Sequence, residues 1–173
     1  MEGCMVRRLD ASAAASLVDD LAAILAACVA GGAGVGFVLP FSEADAAGWW
    51  RSVLPMVVAG ERLLFGGFVD GHLAGTVSLV PATPQNQPHR ADISKMLVHP
   101  SARRRGLGVA LMQAAEAEAR RLGKTLLTLD TVTGSGAEQL YAGLGWQKSG
   151  VIPNYALSPT RSYDSTTVMW KAL

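Results

Sequence analysis

The spacing of apolar and polar residues divides the chain into a helical N-terminal third and a strand-rich remainder. A short stretch at 6–9 fits a first strand. Apolar residues then recur at the three-and-four spacing of an amphipathic helix that follows Ser12, its predicted N-cap. The glycines of 31–37 end this helix, and a second helix is predicted to begin near Ser42 and to end before Ala59.

From residue 62 onward the pattern changes to that of strands. Residues 62–69 and 72–80 flank the pair Asp70-Gly71, which suits the tight turn of a β-hairpin. The remaining pattern predicts strands at 90–98, 125–130, 146–152 and 165–173, helices at 108–122 and 136–145, and a loop at 153–164. We expect residues 1–173 to form a single domain of mixed α and β structure.

One stretch of the sequence points to an anionic ligand. Three arginines, Arg103 to Arg105, and two glycines, Gly106 and Gly108, separate the strand at 90–98 from the next helix. The first turn of a helix has unpaired N–H groups and the positive end of the helix dipole, and glycines let a phosphate approach them. Neither the P-loop pattern nor the dinucleotide-binding Gly-x-Gly-x-x-Gly pattern is complete. The stretch therefore predicts a phosphate or pyrophosphate site of another kind.

The composition excludes several classes of protein. A net charge near +1 argues against a nucleic-acid-binding protein, which usually carries a large basic excess. Cys4 and Cys28 lack metal-ligand spacing and are expected to be free thiols, and the three histidines likewise predict no metal. The sequence has no uninterrupted apolar run of about 18 residues, and we expect no signal peptide because Asp19 and Asp20 interrupt its alanine-rich N-terminal stretch. We therefore expect a cytoplasmic protein that does not bind a membrane.

Two motifs, in the expected order, resemble the signatures of the GNAT N-acetyltransferase family. The first is the stretch RRRGLG at 103–108, which follows a strand. The second is the pattern A-x-x-x-Y-x-x-x-G from Ala137 to Gly145, on a short helix. The resemblance covers residues 62–173 well. It implies an α/β fold with a mixed sheet of about seven mostly antiparallel strands, a splayed central parallel pair and about four flanking helices.

The resemblance also implies acetyl-CoA as the acyl donor of an acyltransferase. A strand backbone would pair with the pantetheine arm as if the arm were an added strand, and the amides of 104–109 would bind the pyrophosphate. The residues implied in acetyl-CoA binding are Met96, Leu97, Val98, Arg103, Arg104, Arg105, Gly106, Leu107, Gly108, Val109 and Ser135. Gly134 departs from the family pattern, because many members have there an asparagine that contacts the cofactor. Ser135 or Thr133 is a candidate to replace that contact.

Acetyl transfer to an amine requires two proton movements. The ammonium must lose a proton, and the leaving thiolate must receive a proton or a hydrogen bond. The resemblance implies Tyr141 as the general acid. Two carboxylates are candidates for the base: Asp92, which strict alternation places on the same strand face as Met96, and Asp130, at the carboxyl end of the next strand. Either could deprotonate the amine through water or bind the ammonium.

Trp49, Trp50 and Tyr155 are predicted to line the pocket for the acceptor. We expect that acceptor to be a small amine. The stretches GGAGVGF, LDTVTGSGAE and PNYALSP resemble acetyltransferases that inactivate an amino-acid-like β-lactam toxin. Two alternatives stay open: an acetyltransferase acting on protein N-termini or lysines, and a non-catalytic acyl-CoA-binding sensor. The sequence does not fix the oligomeric state, for which a homodimer is one option.

Overall fold

A computed structural model describes residues 4–173 of the chain as seven strands, five α-helices and one short 3-10 helix, Pro100–Ala102. In chain order the strands and α-helices are β1 (Cys4–Leu9), α1 (Ala11–Ser16), α2 (Val18–Ala30), α3 (Glu43–Val58), β2 (Leu63–Val69), β3 (His72–Pro81), β4 (Arg90–Val98), α4 (Leu107–Arg121), β5 (Leu126–Val132), α5 (Gly136–Gly143), β6 (Gln147–Leu157) and β7 (Tyr163–Ala172). None of the helices in this part of the chain is long and apolar enough to cross a membrane.

The strands form one mixed sheet in the order β1-β2-β3-β4-β5-β7-β6. All neighbours are antiparallel except the central pair β4 and β5, which is parallel. The predicted α/β fold with seven strands and a central parallel pair is therefore confirmed. One helix more than expected is present, because the predicted first helix divides into α1 and α2.

The first helix begins earlier than predicted and is interrupted. The carboxylate of Asp10, rather than Ser12, accepts a hydrogen bond from the N–H of Ala13 at 2.8 Å and caps α1. Leu17, with φ −106° and ψ 14°, leaves helical geometry and separates α1 from α2. The predicted cap of the second helix is confirmed, because Ser42 forms a capping box at the start of α3.

The predicted β-hairpin is confirmed, whereas the predicted last loop is too long. Strands β2 and β3 pair around Asp70-Gly71, and both turn residues have positive φ, as a primed turn requires. The loop predicted at 153–164 is wrong over much of its length, because β6 continues to Leu157 and β7 begins at Tyr163. Two register shifts let β6 remain paired with β7 despite its irregular sequence.

Two apolar cores lie on opposite faces of the sheet, one beneath α4 and α5 and one beneath α2 and α3. Helix α4 approaches the sheet closely over the paired glycines Gly67 and Gly75. A Cβ atom on Gly75 would lie 2.8 Å from the carbonyl oxygen of Leu97 and 3.0 Å from Cδ1 of Leu111. Because these glycines have no side chain, Leu107 and Leu111 of α4 can pack directly on the sheet. This close contact determines the position of the start of α4 relative to β4.

A buried ion pair joins α4, α5 and β7. Glu116 is 5% exposed, accepts a hydrogen bond from Trp146 Nε1 at 3.0 Å, and pairs with Lys171 Nζ at 2.7 Å. The same ammonium donates to the carbonyl of Leu144 at 2.7 Å. Because Leu144 caps α5, this network positions the helix that carries Tyr141.

Strands β4 and β5 separate after a short parallel contact. Arg90 to Asp92 pair with Leu126 to Thr128, and the described residues show no register pair between the two strands beyond that point. On its other edge β4 carries a bulge, where Lys95 has a φ of +50°. A gap thus opens in the middle of the sheet, toward the end of β4 that leads to α4.

The bulge changes which side chains of β4 share a face. Alternate residues of β3 pair with Ser94 and with Leu97, so Leu97 rather than Met96 lies on the face of Ser94 and Asp92. The expectation that Asp92 and Met96 share a face is wrong, because an inserted residue at Lys95 breaks the alternation. Met96 packs with the core beneath α4, and Leu97 with the core beneath α2 and α3.

Candidate active site

The start of α4 presents a run of unpartnered backbone amides. Gly106, at φ +82°, is the N-cap and offers no side-chain cap, and Arg104 also has a positive φ, of 63°. Among residues 4–173, none of the N–H groups from Arg104 to Val109 has a hydrogen-bond acceptor. These donors lie at the positive end of the α4 dipole, so this turn can bind a phosphate or a pyrophosphate.

The three arginines before α4 differ in their surroundings. Arg103 Nε donates to the carbonyl of Val98 at 3.2 Å and so anchors the turn to β4. Arg105 Nη2 pairs with Asp70 Oδ2 at 3.3 Å. The guanidinium of Arg104 has no hydrogen bond or ion pair within the described residues, and its side chain is exposed. Arg104 is therefore the arginine left available to an anion bound at the turn.

The edge of β4 that faces the gap is formed by alternate residues. The carbonyl of Leu97 points to β3, where it lies against Gly75. Because backbone groups alternate sides along a strand, Met96 and Val98 direct theirs toward the gap. Of the three residues predicted to pair with pantetheine, these two have the required backbone direction.

Tyr141, predicted as the general acid, lies in the core beneath α4 and α5. Its side chain is 5% exposed, and its ring centroid lies 6.1 Å from that of Trp146. The hydroxyl makes no hydrogen bond to any of residues 4–173. Burial, and next the negative charge of Asp130, raise the pKa of Tyr141 above its ordinary value. The phenol therefore keeps its proton at neutral pH and can act as a hydrogen-bond donor.

The two candidate carboxylates have different environments. Asp92 accepts hydrogen bonds from Arg90 Nη1, at 2.5 Å, and from the Thr128 hydroxyl, which ties it into the parallel contact of β4 and β5. Asp130 is exposed and accepts one hydrogen bond, from Thr166 Oγ1 at 2.9 Å. Asp130 is thus the carboxylate with capacity to bind a further partner.

A cavity of about 350 Å³ opens where β4 and β5 separate, and it brings the two predicted carboxylates together. Its lining residues are Asp92, Ile93, Ser94, Thr128, Leu129, Asp130 and Val168. The negative charge of Asp130, which lines this cavity, is also the second cause of the raised pKa of Tyr141. The described residues contain no group of three histidine, cysteine or acidic side chains placed to bind a metal, and Cys4 and Cys28 are free.

The position before α5 is arranged as a helix cap. Ser135 Oγ accepts a hydrogen bond from the N–H of Glu138 at 3.2 Å and lies 3.3 Å from Thr131 Oγ1. Gly134 has a φ of +77°, a backbone conformation that asparagine tolerates better than most residues. A Cβ atom there would meet no atom within 4 Å.

The structure separates the three residues predicted for the acceptor pocket. Trp50, a residue of α3, is fully buried, and its Nε1 donates to the carbonyl of Leu21 at 3.0 Å. Trp49 is partly exposed and packs edge-on against Phe37, with ring centroids 5.8 Å apart. Tyr155 is 54% exposed on the edge strand β6. Of these three, Trp49 belongs to the cluster of aromatic and cationic side chains described next.

Two cations near Trp49 were not among the residues predicted from the sequence. Lys95 Nζ lies 5.1 Å from the Trp49 ring centroid and 5.5 Å from that of Phe37, and Arg62 Cζ lies 5.9 Å from the Trp49 centroid. Phe41 stacks on Phe37 at 4.4 Å. The signal was present in the sequence: Arg62 and Lys95 are isolated charges in the apolar strand stretches RLLFGGFV and ISKMLV.

Comparison with known proteins finds relatives of this chain in sequence and in fold. The model of the Acetyltransferase (GNAT) family matches residues 36–146. An uncharacterized N-acetyltransferase from the hisH–hisA intergenic region of Azospirillum brasilense is 38% identical over 132 residues, covering 75% of this chain and 76% of that protein. A GCN5-related N-acetyltransferase from Kribbella flavida superposes with a TM-score of 0.80 at 24% identity, over 99% of both chains. The acetyltransferase yncA from Salmonella typhimurium, solved with its cofactor acetyl-CoA, superposes with a TM-score of 0.71 at 18% identity, over 99% of this chain and 95% of that one.

Proposed function

The chain belongs to the GNAT acetyltransferase family and is an N-acetyltransferase; on this premise we propose that it transfers the acetyl group of acetyl-CoA to the amine of a small molecule. The observation that carries the proposal is the run of unpartnered amides from Arg104 to Val109 beside the gap between β4 and β5. These donors fit the pyrophosphate of acetyl-CoA. The Salmonella structure that shares this fold was solved with acetyl-CoA, which supports the same donor here.

Acetyl-CoA would be held by the turn before α4 and by the edge of β4 that faces the gap, where the carbonyl of Val98 also accepts hydrogen bonds from Arg103 Nε and Cys28 Sγ. The amides of 104–109 would bind the pyrophosphate, and the guanidinium of Arg104 is free to add charge. The backbones of Met96 and Val98 would pair with the pantetheine arm. Bound in this way, acetyl-CoA supplies the acetyl group as a thioester. The amine attacks it directly, and the C–S bond of the thioester breaks as the new C–N bond forms.

Asp130 would bind the acceptor ammonium and take its proton. Its carboxylate is exposed and borders the cavity, and Thr166 occupies one of its two oxygens. Asp92 is less suited to this role, because Arg90 and Thr128 already hold its Oδ1. We therefore propose that Asp92 holds β4 and β5 together where the gap begins, and that Asp130 binds the amine of the acceptor.

Tyr141 would donate a hydrogen bond to the departing sulfur. Its raised pKa keeps the hydroxyl protonated, and the hydroxyl has no competing acceptor within residues 4–173. A thiol has a reference pKa of about 8.5, below that of a phenol, so complete proton transfer to the sulfur is uphill. We therefore expect Tyr141 to stabilise the thiolate in the transition state by hydrogen bonding, with bulk water completing protonation later.

The proposed acceptors are small amines, with amino-acid-like toxins or antibiotics among them. The test is a screen of amines and of short peptides with acetyl-CoA, following release of free thiol and the mass of the acetylated product. We expect turnover with at least one class of small amine above the rate without acceptor. Acetylation confined to peptides or proteins would contradict the small-molecule proposal. Binding of acetyl-CoA without turnover on any amine would instead favour a sensor.

A further inference from the structure

Arg62 and Lys95 form a pair of partly buried cations without a counter-ion. The Nε and Nη1 atoms of Arg62 are buried and have no hydrogen-bond partner among residues 4–173. Lys95 Nζ has one, the carbonyl of Val35 at 2.8 Å. No carboxylate of the described chain lies within ion-pair distance of either side chain. Buried charges in proteins are normally paired, so this arrangement calls for an anion from outside the chain.

The two cations share one aromatic wall. Both lie near the ring of Trp49, and Lys95 also lies near that of Phe37. Burial lowers the pKa of Lys95, the charge of Arg62 lowers it further, and Asp130 raises it. The two positive charges therefore act on each other, and the charge of Asp130, a residue of the cavity, acts on Lys95 in the opposite sense.

The same face of the sheet carries further unsatisfied polar groups. Leu64 pairs with Ser78, so Arg62, two residues earlier in the chain, belongs to the face that carries Ser78. The hydroxyls of Ser78 and Thr76 are buried and have no hydrogen-bond partner within the described residues. Ser78 in turn pairs with Ser94, a residue of the cavity beside Asp130. A row of polar groups thus runs from Arg62 across β3 to the cavity.

We infer that Arg62 and Lys95 bind an anionic group of the acceptor, a carboxylate or a similar oxyanion, while the acceptor amine faces Asp130. The apolar part of the acceptor would lie against Trp49 and Phe37. The substrate class is then an amine that carries its own negative charge, as amino acids and their analogues do. This inference rests on the proposed function, because it specifies which amines that same site accepts.

A purely structural role does not account for this arrangement. Lys95 could tie the α2–α3 loop to the sheet through Val35, but this contact leaves its remaining protons without acceptors in the described chain. The guanidinium of Arg62 holds no other element in place, because it makes no hydrogen bond or ion pair within the described residues. A like-charged pair that is desolvated destabilises the empty protein, and it is retained most simply if an anion neutralises it during function.

The experiment compares acids with their neutral counterparts. Each of the twenty common L-amino acids and its carboxamide is offered as acceptor with saturating acetyl-CoA. The enzymes are the wild type, Arg62→Gln, Lys95→Gln and the control Arg51→Gln. Arg51 is exposed on α3 and makes one long ion pair, with Asp19 at 3.9 Å. For the best acid, we expect Arg62→Gln and Lys95→Gln each to lower kcat/KM by about 10- to 100-fold. The rate with the matching carboxamide and the KM for acetyl-CoA should change less than about threefold, and Arg51→Gln should behave like the wild type.

A second measurement separates binding from folding. Without acceptor, Arg62→Met should have a thermal midpoint equal to or above that of the wild type, because an unpaired buried charge is removed. The accepted amino acid should raise the midpoint of the wild type but not that of Arg62→Met. Three results would each overturn the inference: equal use of acids and carboxamides, no amino acid that is acetylated or stabilises the wild type, or equal losses on both acceptor classes in Arg62→Gln. Failure to bind acetyl-CoA would overturn the proposed function instead.

Discussion

Replacing Tyr141 by phenylalanine removes one oxygen atom and leaves the buried ring in place. The ring is 5% exposed and packs near Trp146, whereas the hydroxyl has no hydrogen-bond partner in residues 4–173. The structure therefore predicts a change in the free energy of unfolding of no more than about 0.5 kcal/mol, since no hydrogen bond is lost. If the hydroxyl stabilises the departing thiolate, turnover should fall by about 100-fold, equivalent to about 2.7 kcal/mol of transition-state stabilisation.

The assay is the initial rate of thiol release at saturating acetyl-CoA with one accepted amine. We expect kcat and kcat/KM of Tyr141→Phe to fall together, which is the signature of an interaction made only in the transition state. Tyr163→Phe is the matched control, because that tyrosine is 70% exposed. An unchanged kcat in Tyr141→Phe would refute the assigned role and leave positioning of the amine as the main catalytic device. A large fall in thermal stability would show instead that the hydroxyl has a structural partner.

The pKa of Tyr141 makes a separate prediction about alkaline pH. Folding raises that pKa above its ordinary value of 10.0, so the stability that the protonated side chain contributes is complete below pH 10. It is lost as pH rises from that value toward the folded-state pKa. Tyr141→Phe should therefore lose less stability than the wild type when unfolding by urea is compared at pH 9 and pH 11. Equal losses in the two proteins would contradict the burial of this phenol.

The remaining predictions concern the carboxylates. Asp130→Asn should lower kcat/KM by about 100-fold near neutral pH. This loss should become smaller as the pH rises, because more of the acceptor is then present as free amine. A profile of kcat/KM against pH for the wild type and the variant measures this. Asp92→Asn should lower activity mainly by loosening the start of the gap, so its loss should be independent of pH and accompanied by a lower thermal midpoint. Glu116→Ala leaves Lys171 buried without its partner and should cost about 3 kcal/mol, visible as a fall in midpoint of about 6–12 °C. A pH-dependent loss in Asp92→Asn together with a pH-independent loss in Asp130→Asn would show that Asp92, and not Asp130, takes the proton of the amine. An unchanged thermal midpoint in Glu116→Ala would refute the structural role of the ion pair.

Local patterns in the sequence were sufficient for most of the fold. The hairpin around Asp70-Gly71 and the cap at Ser42 depend on short-range backbone chemistry, which neighbouring residues determine. Strand β6 ran beyond its predicted end, because its pairing with β7 continues through two register shifts that residue alternation does not reveal. The same limit applies at Lys95, where one inserted residue moved Met96 off the face of Asp92.

The candidate site was predictable only in part for a similar reason. The turn before α4 is contiguous in sequence, so its glycines and arginines could be recognised together. The cationic pair could not, because Arg62 directly precedes β2 and Lys95 lies on β4, so the two meet only through the order of strands in the sheet. Trp49 and Trp50 are adjacent in sequence and yet point to different surroundings, since neighbouring residues of a helix lie on different sides of it.

The most direct test of the account is a titration of the ¹⁵N-labelled protein with acetyl-CoA, followed by amide NMR. We predict saturable binding of one molecule per chain, with the largest shifts at the amides from Arg104 to Val109 and at Met96 and Val98. The amides of 104–109 have no acceptor in the described protein, so a bound pyrophosphate would change their environment most. Met96 and Val98 face the gap between β4 and β5, where the pantetheine arm would lie. No shifts at millimolar acetyl-CoA, or shifts concentrated elsewhere with 104–109 unchanged, would contradict the account.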